Sequence, residues 1–196
     1  MNRDGLLRSI TETGYNVGYG AKKNFATHDI VQKAPGGLGM VSLLVGLYAL
    51  VWDPLNAKWI AATMVGLGII TLIITHYDHN KAAYADEGER LTALFYRLRD
   101  LYRDVHATAE GDDLSSYRAS LDAIQAEFWS SNQSKQILFS DWYAHYKFFW
   151  QQQIGWLDEQ LRFTFWRDKV PLSFTFVLIV TILAAVGFGI AWLLSR

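Results

Sequence analysis

The residues best suited to bind a metal stand at the end of an apolar stretch. His76 and His79 are three positions apart, and Asp78 lies between them. On a helix this spacing brings the two imidazole rings to one face, where their nitrogens can bind zinc. A zinc site needs more ligands than these three, and the chain has no cysteine to supply them. We therefore predict no metal site here, and instead a polar collar or a set of contacts between subunits.

A second group of candidates is acidic. It consists of Asp86, Glu87, Glu89, Asp100 and Asp104. Two positioned carboxylates can act as general acid and base, but Asp86 and Arg90 stand four residues apart, as they would on a solvated helix face. The sequence contains no glycine-rich phosphate loop, no GxSxG and no HExxH pattern. We predict no catalytic residue, no cofactor and no enzymatic activity.

Three arginines, Arg97, Arg99 and Arg103, are candidates for binding an anion. Guanidinium groups form paired hydrogen bonds with phosphate, so a nucleotide phosphate is one possible ligand. Their spacing mixes two helix faces, and the neighbouring Asp100 and Asp104 compete for them, so ordinary surface charge is the alternative. Together with the histidine and aspartate group above, these arginines are the predicted contacts for coupling or for a ligand.

An aromatic run extends from Phe139 to Trp150. Such a run most often forms the core of a helical bundle, but it can also stack on bases, insert into a membrane surface or dock a partner subunit. The formal net charge of −1 argues against a dedicated nucleic-acid binder, which normally carries a basic patch. We therefore predict no nucleic-acid partner.

Three apolar blocks in the 196-residue chain must position these side chains. Runs of 19, 17 and 26 residues without an acidic or basic side chain cover 34–52, 59–75 and 170–195. A bilayer core about 30 Å thick needs about 20 apolar residues in a helix, so we predict three membrane-spanning helices. The first block begins too far into the chain, and is followed too closely by the second, for a cleaved signal peptide.

The predicted fold is an all-α membrane protein with four parts. Residues 1–36 form an N-terminal cytoplasmic segment and 37–75 a transmembrane helical hairpin. Residues 76–170 form a cytoplasmic helical domain, and 171–196 an additional C-terminal transmembrane helix. Lipid surrounds the three spans, so the bilayer itself is a predicted partner.

Glycine and proline are expected to interrupt the N-terminal part. Gly14, Gly18 and Gly20 each weaken a helix by about 1 kcal/mol relative to alanine. The sequence Pro35-Gly36-Gly37 is expected to end any helix before the first span. The six residues 53–58 are too few to join anything but antiparallel neighbours, which predicts the hairpin.

Helical periodicity marks the middle of the chain. Apolar residues recur at i, i+3, i+4 and i+7 from Leu91 to Val105, which predicts a helix that continues from the second span to about Ala107. Two further helices are predicted, one after the acidic turn 110–113 and one from about Ser140 towards Pro171.

Lysine and arginine near the spans predict the orientation, because cytoplasmic segments are enriched in them. The N-terminal segment has five basic residues, the hairpin turn only Lys58, the middle region 11 and the C-terminus only Arg196. We predict that the N-terminus and the middle region are cytoplasmic and that the C-terminus is outside.

Each span also carries two small residues four positions apart. The pairs are Ser42 and Gly46, Ala62 and Gly66, and Ala185 and Gly189. Small residues let helix backbones approach closely in lipid, where hydrophobicity does not drive association. These helix-packing residues predict either a homo-oligomer or packing of the three spans within one chain.

Four features stand in a fixed order along the chain: YNVGYGAKK at 15–23 and FATHD at 25–29 before the first span, the close hairpin, and the charged helix that includes YRLRDLY at 96–102. Together they resemble the SLATT family, two-helix membrane effectors associated with nucleotide-signalling immune systems of bacteria. The resemblance covers about residues 10–160. The third span departs from the two-span layout.

The resemblance implies a membrane effector of the bacterial inner membrane that acts in antiviral defence. It implies oligomerisation and pore formation, triggered by an upstream sensor or a nucleotide-signalling protein, and abortive infection as the outcome. No span carries a charge, whereas a selective channel usually places charged groups in the membrane. A pore would therefore form only in an activated oligomer or be gated by dewetting; the alternative is a non-pore anchor or regulatory module that holds a partner protein.

Overall fold

The computed structural model describes residues 2–130 and 136–194, and within these ranges it contains helices and turns but no strand. The α-helices are α1 (Arg3–Ala49), α2 (Lys58–Thr75), α3 (Lys81–Ala107), α4 (Ser115–Trp129), α5 (Ser140–Tyr146), α6 (Gly155–Leu161), α7 (Phe165–Asp168) and α8 (Leu172–Leu194). Short 3₁₀ turns, Asp53–Asn56 and Asp78–Asn80, separate α1 from α2 and α2 from α3, and a π-helical turn, Lys147–Gln151, follows α5. The predicted all-α class is confirmed over the described residues.

The first helix is one continuous element from the N-terminus to the end of the first apolar block. Its N-cap is Asn2, whose side-chain oxygen accepts a hydrogen bond from Gly5 N at 3.0 Å. The predicted break at Pro35-Gly36-Gly37 is wrong, because α1 passes through all three residues. Pro35 cannot donate to the carbonyl of Val31, but the residues before it pack in a core, and an apolar surrounding after it favours internally bonded backbone.

The main hydrophobic core joins the N-terminal part of α1 to α3, α4, the π-helical turn and α6. The apolar stripe predicted on α3 is confirmed as buried: Leu91, Leu94, Phe95, Leu98, Leu101, Tyr102 and Val105 all belong to this core. Leu121 and Ile124 cover it from α4, and Phe148 and Leu157 from the segment after α5. We call this unit the bundle.

Two glycines set the distance between α1 and its neighbours in the bundle. A Cβ atom added to Gly18 would lie 2.7 Å from the ring of Phe95 and 2.9 Å from the ring of Phe148. A Cβ atom on Gly14 would overlap the ring of Trp156. The glycines weaken the isolated helix, but they leave room for aromatic rings that then hold it in place.

Two other predicted helices are interrupted. The helix expected to run from the second span to Ala107 is divided at 76–80 by a turn and the second 3₁₀ segment. The helix expected from Ser140 to Pro171 consists of α5, the π-helical turn, α6 and α7. Arg162 ends α6 with a left-handed φ of 50°, and Asp158 Oδ1 accepts a hydrogen bond from Phe163 N at 2.7 Å, which turns the chain.

Helix α1 and the helical stretch 58–107 are each long and apolar enough to cross a membrane. Only 6% of the most apolar window in each is buried within the protein, whereas a core helix of a water-soluble protein is mostly buried. Within α8, the apolar stretch Leu172–Gly187 is shorter than these two candidate spans. The two antiparallel helical ends, 37–49 of α1 and all of α2, form the feature we call the hairpin.

Candidate functional site

The bundle meets the hairpin at a small second apolar cluster. Its buried members are Val31 on α1, Ile74 at the end of α2, and Ile137. Ile30, Ala34, Leu38 and Tyr77 pack around them. Ile74 and Leu38 belong to the hairpin, whereas Val31 lies in the part of α1 that precedes it. We therefore call this cluster the junction.

The predicted histidine collar lies beside the junction. The rings of His76 and His79 are 5.8 Å apart and steeply inclined at 70°. Asp78 forms an ion pair with Lys81 at 2.9 Å rather than joining the two imidazoles. Among residues 2–130 and 136–194, there is no group of three or more histidine, aspartate or glutamate side chains that could hold a metal ion.

An ion-pair network that the sequence did not indicate ties α1 to the segment after α5, close to the junction. Asp29 accepts hydrogen bonds from Lys147 and, at 2.8 Å, from Lys33. The side chains of Asp29 and Lys147 are only 17% and 14% exposed. A second pair, Lys23 with Asp141 at 2.9 Å, joins α1 to α5 itself.

Burial and charge act in opposite directions on Asp29. Burial alone raises the pKa of a carboxyl group. The hydrogen bonds and positive charges of Lys147 and Lys33 outweigh burial and hold the pKa of Asp29 below its ordinary value of 3.8. Asp29 is therefore ionised at neutral pH and supplies a fixed negative charge between two lysines.

At the neighbouring tyrosine and lysine, burial and charge shift the pKa in the same direction. Burial, with a smaller contribution from the charge of Asp141, raises the pKa of Tyr19 to about 12. Burial and the charge of Lys147 lower the pKa of Lys22. This face of α1 is thus a partly buried, charged surface. Asp29 and Lys147 lie 118 positions apart, so no local spacing could have indicated their pairing.

The three predicted arginines occupy two different places. Arg97 pairs with Glu127 at 2.6 Å and so links α3 to α4. Arg99 and Arg103 instead line a pocket of about 410 Å³ between α3 and the α6 region. The structure therefore brings together two of the three arginines, and it adds Trp156, which the sequence did not single out as a site residue.

The aromatic run is divided between core and surface. Phe148 and Phe149 are buried in the bundle, as expected for the core hypothesis. Trp142, Tyr146 and Trp150 instead line a groove of about 370 Å³ that also includes Pro171 and Phe174. Trp142 Nε1 donates a hydrogen bond to Ser173 Oγ at 2.8 Å, which attaches α5 to the start of α8.

The predicted helix-packing residues lie on open faces. A Cβ atom added to Gly46 or Gly66 would meet no other atom within 4 Å. Ser42 is half-buried, and Ala62 and Ala185 are exposed. The surroundings of Gly189 lie outside the described residues. The described small residues therefore leave room for contacts with helices outside this chain.

These features define a class: a helical membrane protein in which a packed bundle continues directly into an apolar hairpin. The family described as SMODS and SLOG-associating 2TM effector domain 6 matches residues 1–178. The chain belongs to this SLATT family, which confirms the resemblance seen in the sequence and extends it from about residues 10–160 to the first turn of α1 and the start of α8. No curated protein and no solved structure matches the chain.

Proposed function

We propose that this protein is a non-enzymatic effector that oligomerises in the bacterial inner membrane and permeabilises it when an upstream sensor signals infection by a phage. The observation that carries the proposal is the uncovered hairpin: only 6% of each apolar window is buried by the protein itself. Family membership supports a membrane effector of a conflict system. Further copies of the chain are the partners that can cover the open small-residue faces.

The absence of charge in the predicted spans decides what kind of pore is proposed. A standing ion pathway usually contains charged or polar groups, and the runs 34–52 and 59–75 contain no acidic or basic side chain. An apolar pore holds water only when it widens, so permeabilisation requires a rearranged oligomer. The resting protein is closed in this proposal.

The continuity of α1 supplies a route from the bundle to the membrane. At 1.5 Å per residue, its 47 residues extend over roughly 70 Å. The part around Gly18 is fixed in the bundle, and the same helix reaches Gly46 in the hairpin without a break. A movement of the bundle is transmitted along this helix, and the junction with its Asp29–Lys147 pair is where the movement passes to α2.

In this proposal α8 is a third span. The N-terminus and the bundle are cytoplasmic and the C-terminus is outside, following the distribution of lysine and arginine. A reporter enzyme active only outside the inner membrane, fused after Arg196, is expected to be active, and the same reporter fused before α1 is expected to be inactive. An inactive reporter at the C-terminus would mean that α8 does not cross the membrane.

The experiment for permeabilisation is expression in bacteria together with the genes that flank this one, while membrane potential and uptake of an impermeant dye are recorded. We expect depolarisation and dye uptake when the system is triggered. Gly66→Leu is expected to abolish both and to reduce the oligomer size in detergent, because the larger side chain keeps the backbones apart.

Gly68→Leu is the matched control. It makes the same change in the same helix, and Gly68 likewise has no neighbour within 4 Å, but two residues turn the helix by about 200° to the other face. Retained depolarisation in this variant assigns the effect to the Gly66 face. Growth arrest with an intact membrane potential would instead support the anchor or regulatory module that holds a partner protein.

A further inference from the structure

The pocket that contains Arg99 and Arg103 is separate from the hairpin and from the junction. Its walls come from the last turns of α3 and from the region of α6. The volume of about 410 Å³ lies within the range of small-molecule sites. Tyr102, His106 and Trp156 supply aromatic walls beside the two guanidinium groups.

Two side chains that line this pocket each have a buried polar atom without a hydrogen-bond partner. These atoms are Nε of Arg99 and Nε1 of Trp156. Trp156 is only 9% exposed. Buried polar atoms in folded proteins are nearly always paired, because an unpaired donor has lost its water. Both atoms are donors that cannot accept, so the wall in which they are buried favours a ligand rich in acceptor oxygens.

One acidic side chain forms ion pairs with both arginines, at a distance too long for a hydrogen bond. Asp100 Oδ1 is 3.7 Å from both Arg99 and Arg103, beyond hydrogen-bond distance, and its side chain is 64% exposed. Glu159, in the pocket wall, accepts a hydrogen bond from Tyr102 Oη at 2.7 Å. The wall therefore combines two arginine charges with one carboxylate that already has a donor.

The position of the pocket argues for a water-soluble molecule rather than a lipid headgroup. Arg99 follows the first residue of α3, Lys81, by 18 positions, which is roughly 27 Å along the helix. Lys81 itself is already outside the apolar part of α2, which ends at Thr75. A headgroup at the membrane surface does not reach that far.

We infer that this pocket binds a small soluble phosphorylated ligand, with phosphate oxygens accepting from the guanidinium groups of Arg99 and Arg103. Phosphate matches two neighbouring guanidinium groups because its oxygens accept from both at once. The remaining volume, bounded by Tyr102 and His106, accommodates the rest of the ligand. This inference goes beyond permeabilisation and does not depend on it, since binding is measurable without a pore.

The test uses the full chain, purified in detergent, with inorganic phosphate and pyrophosphate as probes and sodium chloride at equal ionic strength as the reference. Binding is read from the shift in thermal unfolding and from broadening of the ³¹P resonance of the probe. Pyrophosphate is expected to stabilise the protein. Arg103→Gln is expected to weaken binding about tenfold or more, because it removes a charged hydrogen bond from a side chain that is 66% exposed and not needed for folding.

Arg97→Gln is the matched control, because it removes the same charge from the same helix outside the pocket. It is expected to bind pyrophosphate within about twofold of the unchanged protein, since its contact is with Glu127. Arg99→Lys keeps the charge but loses the paired donors, and it is expected to weaken binding as Arg103→Gln does.

Three results would overturn the inference. One is the lack of any stabilisation by either probe. Another is an equal loss of binding in Arg97→Gln and Arg103→Gln, which shows general surface charge. The third is stabilisation seen only in nanodiscs of phosphatidylglycerol and not with soluble probes, which assigns the arginines to lipid. None of these results bears on membrane depolarisation, so the two proposals fail separately.

Discussion

The glycines of α1 and α2 differ according to which end of the molecule they occupy. In the bundle, Gly14 and Gly18 lie against the rings of Trp156, Phe95 and Phe148, and no larger residue has room there. In the hairpin, nothing approaches Gly46 or Gly66 within 4 Å of an added Cβ atom. The bundle glycines thus pack against aromatic side chains of other helices, and these two hairpin glycines do not.

The difference has an energetic meaning. A glycine inside a helix costs about 1 kcal/mol relative to alanine. In the bundle, ring packing against α1 offsets this cost. In the described part of the hairpin, Gly46 and Gly66 have no such neighbour, and contacts between copies are what we propose to offset the cost there. The bundle buries its apolar side chains within one chain, whereas the apolar windows of the hairpin helices are only 6% buried.

The largest expected effect tests whether the bundle is complete. Phe148 is fully buried and packs edge-on against the ring of Tyr15 at a centroid distance of 5.4 Å. Phe148→Ala is expected to destabilise the bundle by about 3–5 kcal/mol, because it leaves a cavity as well as losing apolar burial. Unfolding of the purified protein in detergent, followed by circular dichroism, measures the change.

Trp150→Ala is the control, since Trp150 belongs to the same aromatic run but is 60% exposed. Its cost is expected to stay within about 0.5 kcal/mol, as for a surface change. Similar losses in both variants would mean that the run is not divided between core and surface as described.

The next effect tests the role of the bundle glycines directly. Gly18→Ala is expected to destabilise by about 1–3 kcal/mol, because its Cβ atom would lie 2.7 Å from the Phe95 ring. Gly20→Ala, two residues away, places its Cβ atom 3.4 Å from Leu91, an ordinary contact. This control is expected to stabilise by up to about 1 kcal/mol through helix propensity.

Opposite signs for the two variants in thermal unfolding would support a steric requirement at Gly18. If Gly18→Ala were as stable as the unchanged protein, the close approach of α1 to Phe95 would be wrong. The comparison is sharp because both changes add one methyl group to the same helix.

Local pattern was sufficient to predict the bundle stripe and the apolar helices. The i, i+3, i+4 spacing from Leu91 to Val105 reports one buried helix face, and each of its apolar members is buried. The uncharged runs likewise correspond to the helical parts of the hairpin. These features depend on neighbours in sequence, which is why periodicity detects them.

Features that depend on distant neighbours were missed. Pro35 ends many helices, but here the packed bundle on one side and the apolar stretch on the other maintain α1 through it. The Asp29–Lys147 pair and the contribution of Trp156 to the arginine pocket arise only when separate helices are placed together. The end of α6, within the divided stretch 140–171, is formed by the left-handed residue Arg162, which carries no strong sequence signal.

The smallest expected effect concerns the boundary between the two regions. Asp29→Asn removes the partly buried charge that accepts from Lys147 and Lys33, and it is expected to cost about 1 kcal/mol. Because the pKa of Asp29 is lowered in the folded protein, its stabilisation is present above the unfolded value of 3.8. It is lost as the pH falls through the lower folded value.

The difference in stability between Asp29→Asn and the unchanged protein should therefore be constant near neutral pH and shrink below about pH 3.8. Lys33→Gln is the matched control, since that lysine is 69% exposed and its loss is expected to have almost no effect. Hydrogen exchange localises the change: we expect faster exchange at the junction, around residues 29–38 and 74–77, with the bundle protected. Equal acceleration throughout the bundle would show that the pair is part of the core and does not mark the boundary between a completed region and an open one.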